Sequence, residues 1–107
     1  MSWTFLFIAG TFEIVFALCL KSSENFTRLW PVLGFLFGAA ASLYFLSRAM
    51  QTIPLGTAYA VWTGIGAVGT AILGILIYKD PVNLGRIFFL STLIFSIVGL
   101  KFFAGEA

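Results

Sequence analysis

The chain has 107 residues, 61% of them hydrophobic and 9% charged, with six Lys and Arg against four Asp and Glu and no His. A soluble domain carries about 25% charged residues, so this chain lacks the polar groups to cover a water-exposed globule. A net charge of +2 is too small for a phosphate-tracking surface, which argues against nucleic acid, and without His and with Cys19 as its one cysteine no zinc centre, other metal site or cofactor is expected.

The first apolar stretch runs from Ser2 to Leu20 and is broken only by Glu13. A spanning helix needs about 20 residues, so a transmembrane helix is predicted over 2–20. It is not read as a cleaved leader, because no basic residue precedes Trp3 and a glutamate sits in its middle. Cys19 within it is read as a small apolar residue. Thr27 or Asn25 can cap a second helix over 29–47, with Pro31 in its first turn and no charge from Leu29 to Ser47. Thr52 can cap a third over 54–77, which begins at Pro54 and has no charge from Leu55 to Tyr78. Asp80 followed by Pro81 predicts the start of a fourth over 81–103, with Arg86 near its start and Lys101 near its end. Period-two alternation is absent, which excludes barrel strands. The expected fold is all-α, a single four-helix membrane domain over 1–107.

Four spans put both termini on one side of the bilayer with Arg48, Lys101 and the terminal amine. Lys21, Arg28, Lys79 and Arg86 fall on the other. A difference this small specifies orientation weakly. Insertion both ways round stays open beside a single orientation.

Glu13 is the most informative residue. It lies about 3 Å from the middle of its helix along the axis. An ionisable group at that depth is a functional-site hypothesis by default. Hydrocarbon disfavours its charged form, so the acid can carry a proton and can trade it for an organic cation. The structural alternative is a protonated acid bonded to a neighbouring helix. Gly10 and Phe16 share its face, at spacings of three. Gly10 leaves space one turn away, and Phe16 places a ring one turn along.

Tyr59, Trp62 and Gly66 share a face of the third helix. Trp62 lies about 6 Å from that helix's centre, too deep for an interfacial belt, and aromatic faces attract cations. Trp3 and Trp30, near helix ends, fit the belt. Ser42, also about 6 Å from its helix centre, can orient the carboxylate or bond back to its own helix. Gly64 and Gly66 mark a candidate hinge. Thr92, Ser96 and Gly99 form a small-residue stripe suited to a helix–helix interface. Four helices around one acid enclose little volume, so a second copy, bringing a second Glu13, is expected.

These residues resemble the small multidrug resistance family of bacterial inner-membrane transporters. The likeness covers nearly the whole chain and includes Ala9-Gly10-Thr11-Phe12-Glu13 and Asn25-Phe26-Thr27-Arg28-Leu29-Trp30-Pro31. Most telling is Pro54-Leu55-Gly56-Thr57-Ala58-Tyr59-Ala60-Val61-Trp62-Thr63-Gly64-Ile65-Gly66-Ala67-Val68-Gly69. Within it, Trp62-Thr63-Gly64-Ile65-Gly66-Ala67, like Gly99-Leu100-Lys101, is similar to the guanidinium-exporting branch.

The resemblance implies an antiparallel dimer that exchanges protons for a guanidinium-type organic cation across the inner membrane. It implies Glu13 as the proton and substrate carboxylate, Tyr59 and Trp62 as binding aromatics, Ser42 as a hydroxyl partner, and Gly64 to Gly66 as the hinge. Phe16 departs from the branch, which usually has Trp there, so an indole donor is lost. Substrate breadth, or a heterodimer with a second, similar chain in place of a homodimer, is at stake in that change. The alternatives are a broad quaternary-ammonium antiporter of the same family and a non-transporting membrane subunit. An enzyme is not expected, since no nucleophile–base pair or phosphate loop is present.

Overall fold

In the computed structural model, which describes residues 2–103, four helices follow one another: α1 (Ser2–Ser22), α2 (Leu29–Ala49), α3 (Leu55–Tyr78) and α4 (Leu84–Phe102). All four are long and apolar enough to cross a membrane, and there is no strand among the described residues. The helices alternate in direction. At one end, here end A, Ser2 Oγ bonds Thr52 Oγ1, the Arg48 guanidinium lies 4.9 Å from the Phe5 ring, and Lys101 Nζ lies 5.1 Å from the Trp3 ring. At the other, end B, Ser22 Oγ and Tyr78 Oη are 3.0 Å apart and Lys21 Nζ lies 5.5 Å from the Tyr78 ring. The cations therefore divide as Arg48 and Lys101 against Lys21, Arg28, Lys79 and Arg86. The terminal amine lies outside the described residues.

Helix starts differ from expectation in an instructive way. α4 begins at Leu84 rather than 81, because Asn83 and not Asp80 is the cap: its side chain accepts from the Arg86 N–H at 2.9 Å. Pro81 thus precedes the helix. Asp80 is held instead to α3, its N–H donating to the Gly74 carbonyl at 3.0 Å after Lys79 turns left-handed. Neither Thr27 nor Thr52 caps its helix. Arg28 and Pro54 occupy those positions without a side-chain bond. Thr27 Oγ1 is spent on the Glu24 carbonyl at 2.7 Å. It serves the α1–α2 turn, where Glu24, Asn25 and Phe26 are all left-handed. Such residues cost about 1–2 kcal/mol each. Buried Ser23 offsets part of that: its hydroxyl donates to the Leu20 carbonyl at 2.7 Å and accepts from the Phe26 N–H at 3.1 Å.

Packing is unequal. α1 is the hub, packed on α2 along its length and on α3 beside it, while the α4 backbone packs only on α3 and reaches α1 through the Lys101 side chain over Trp3. Close approach comes from absent side chains, as expected between membrane helices. A Cβ placed on Gly34 would lie 2.8 Å from Cys19 Sγ, and one on Gly38 would lie 3.0 Å from Phe16 Cβ. The buried core consists of Leu6, Ala9, Leu46, Ala49, Ile53, Ala58 and Val61, all on the end-A side of Glu13. α4 has no buried residue. The bundle measures 43 × 35 × 17 Å, and large apolar side chains such as Leu36, Phe37, Phe89 and Phe95 are exposed on it, to be covered by lipid or another chain.

Candidate functional site

The seam between α1 and α3 places Glu13. Its carboxyl lies against the backbone of Gly66: a Cβ there would overlap Glu13 Cδ and Oε1 and come within 2.8 Å of Cγ. α1 and α3 run parallel, so mid-helix Glu13 and mid-helix Gly66 meet at the same height. Ile14 and Gly69 repeat the arrangement one turn on, where a Cβ on Gly69 would overlap the Ile14 side chain. Glu13 Oε1 is buried and has no hydrogen-bond partner among the described residues. A buried carboxyl oxygen without a donor is costly, so Oε1 calls for a proton or a donor-bearing ligand.

A second polar cluster ties three helices together. Ser42, fully buried, donates to the Ala9 carbonyl at 2.7 Å and accepts from Trp62 Nε1 at 2.9 Å. The hydroxyl therefore bonds neither the carboxylate nor its own helix, the two roles sequence allowed it. It joins α2 to the backbone of α1 one turn from Glu13, and it fixes the indole of α3. The Tyr59 ring lies 5.5 Å from that of Trp62 at 54° and is half open to the surroundings at 54% exposure. Interhelical bonds of this kind contribute about 1 kcal/mol in membranes. A double-mutant cycle of Ser42→Ala and Trp62→Phe, read by unfolding in mixed micelles, is expected to return a coupling of about 1 kcal/mol; a coupling near zero would contradict the bond.

Other predicted residues are placed differently. The space left by Gly10 is filled by Ile65, since a Cβ there would lie 2.6 Å from Ile65 Cγ2. Phe16 is turned toward α2, its ring meeting Phe35 edge-on at 5.7 Å and its Cβ lying against Gly38. Gly64 faces α4, where a Cβ would lie 2.8 Å from Ile97 Cδ1, and α3 runs unbroken through both candidate hinge glycines. Thr92 and Ser96 are exposed, Gly99 has open space beside it, and Thr92 Oγ1 bonds back to the Phe89 carbonyl at 2.8 Å.

Two openings lie along α1 and α3 beyond the acid, and Glu13 lines neither. An apolar cavity of 350 Å³ is lined by Ile14, Ile65, Val68, Gly69, Ile94, Ile97 and Val98. A smaller one of 180 Å³, toward end B, has Ala17, Lys21, Thr70, Gly74, Tyr78 and Asp80 among its walls. Sequence reasoning missed the Ala9 carbonyl, which no residue type can signal, and the role of Gly66 as the floor under the carboxyl.

Fold and site together define a multi-pass helical membrane protein with one ionisable group at mid-depth. The family described as Small Multidrug Resistance protein matches residues 1–94, and the chain belongs to that family. Similar proteins include one from Proteus vulgaris named "Guanidinium exporter", 50% identical over 101 residues, covering 94% of this chain and 97% of the relative. A Yersinia pestis protein of the same name matches equally, at 50% over the same shares. One from Salmonella typhimurium, again so named, is 48% identical over 94% of this chain and 96% of its own length.

Proposed function

We propose that the chain exports guanidinium and small substituted guanidinium cations across the bacterial inner membrane in exchange for protons, as an antiparallel dimer. The observation that carries this reading is Glu13 Oε1, buried at mid-depth and without a donor. Guanidinium is planar and offers paired N–H groups that match a carboxylate bidentately. It supplies the donors that the seam lacks, and so does a proton. The two therefore compete for one acid. Trp62, held by Ser42, and Tyr59 supply ring faces for a planar cation. The names of the relatives support the substrate class.

If only loaded forms, protonated or cation-bound, pass between the two open states, exchange follows without a further gate. Four cations at end B against Arg48, Lys101 and the terminal amine on the other side differ by one, a bias small enough to support insertion in both orientations. The absence of any buried residue on α4, with Thr92 and Ser96 exposed and open space beside Gly99, supports a second copy. A pair of inverted chains brings two Glu13 carboxyls to one depth, where they would titrate as a coupled pair. Gly64 and Gly66 are the positions at which α3 would flex.

The test is guanidinium binding to the purified chain as a function of pH. Protons and cation occupy the same acid, so acidification weakens binding. Where the acids are protonated, apparent affinity falls by about tenfold per pH unit for each proton displaced. Binding that is indifferent to pH across the titration of Glu13 would contradict the proposal. A bulky quaternary ammonium binding as tightly as guanidinium would redirect it to the broad-specificity antiporters.

A further inference from the structure

We propose that the groove along the first turns of α4 binds an anionic phospholipid, with the phosphate on Arg86 and an acyl chain along Phe89, Leu90 and Leu93. The groove has a volume of 520 Å³ and is also lined by Asn83 and Gly85. Arg86, Leu90 and Leu93 lie at spacings of four and three, on one face of the helix. The apolar run from Arg86 to Leu93 is about 10 Å long. α4 has 19 residues, about 28 Å at 1.5 Å each, which nearly matches a hydrocarbon core of about 30 Å. Its start therefore stands at the headgroups, and the groove descends from there into the acyl region.

The cations single out Arg86. Lys21 lies over Tyr78, Arg48 over Phe5 and Tyr44, and Lys101 over Trp3. Arg28 and Lys79 are exposed. Among the described residues Arg86 alone is a half-buried cation whose guanidinium has no hydrogen bond, ion pair or ring partner; its one bond outside the helix ladder is from the backbone N–H to Asn83 Oδ1. A half-desolvated guanidinium calls for an anion, and its fork suits phosphate. A free phosphate would leave the apolar walls uncovered. A parallel second copy would bring its own Arg86 to that height and set cation against cation; an antiparallel copy is separated from lipid by the dimer fraction of the Leu90→Trp variant below.

The full chain, purified in detergent, would be offered phosphatidylglycerol and phosphatidylcholine with identical acyl chains, and the retained lipid counted by native mass spectrometry. One cation at a membrane surface gives a preference for the anionic lipid of about fivefold. Arg86→Gln should remove it, whereas Lys79→Gln, at the same end but outside the groove, should keep it. A large excess of inorganic phosphate should not displace the lipid. Leu90→Trp, which fills the groove, should lower lipid occupancy and leave the dimer fraction unchanged. An undiminished preference in Arg86→Gln, or displacement by phosphate alone, would overturn the proposal. So would loss of the dimer in Leu90→Trp with lipid retained, which would give the groove to a second copy.

Discussion

Glu13→Gln is expected to reduce guanidinium-driven proton flux in proteoliposomes to the leak of protein-free vesicles, while the chain still inserts and folds. Glutamine reproduces the shape of the protonated acid, so the contact with Gly66 and the neighbouring packing of Ile14 on Gly69 are preserved. It has no proton to exchange and no charge to balance a cation. An isosteric amide at mid-depth is tolerated by a membrane helix far better than a charge is. Stability should therefore change little, and coupling should vanish. Guanidinium binding should fall, and what remains should no longer weaken on acidification. The mutant separates two causes that a larger change would confuse, since Glu13→Ala removes the acid and leaves the buried Gly66 backbone without its neighbour. Normal guanidinium-driven proton release from Glu13→Gln would remove Glu13 from the mechanism.

How much of this was legible in the residues follows from what kind of information each feature carries. The spans were, because each is an unbroken apolar run of bilayer length, and α3 and α2 were located to within a residue or two at their starts. The start of α4 was not. Asp80-Pro81 carries the stronger local signal, but Asp80 is drawn back to α3 by its bond to Gly74, and Asn83 takes the cap. Glu13 was legible because charge in hydrocarbon is rare whatever the fold. The Ser42 bonds were not, because they depend on how α1, α2 and α3 are rotated about their axes, and one acceptor is a backbone carbonyl. The nearly featureless apolar composition makes this worse: with few polar residues on any helix, no polar face marks the rotation. Glycines posed the same difficulty. Sequence spacing groups Gly64 with Gly66, yet one faces Ile97 of α4 and the other the Glu13 carboxyl of α1.

That difference in facing makes Gly66→Ala the second substitution with a large expected effect. The added methyl would occupy the position of Glu13 Cδ and Oε1 and stand 2.8 Å from Cγ. Inserting one carbon into a closed seam costs about 1–3 kcal/mol, part of which alanine recovers through its better helix propensity, about 1 kcal/mol over glycine. The net loss of stability is therefore small. The acid is the atom group that yields, since it is the far end of a side chain while the α3 backbone is held by its own ladder. Displaced, it no longer presents Oε1 at the same place to proton and cation. Guanidinium-coupled flux should fall by at least about tenfold, the penalty that a misplacement of roughly 1 Å readily exacts, with folding nearly intact. Two companions set the scale. In Gly64→Ala the obstacles are Ile97 Cδ1 at 2.8 Å and Cγ1 at 2.9 Å, the outer atoms of one side chain on the loosely packed α4 that can move away. Gly56→Ala, in the first turn of α3, meets nothing within 4 Å. Flux measured in proteoliposomes should therefore rank Gly56→Ala above Gly64→Ala, and both well above Gly66→Ala. A Gly66→Ala protein with undiminished flux would mean that the carboxyl does not work from its place against Gly66, because the methyl and the carboxyl cannot share that place.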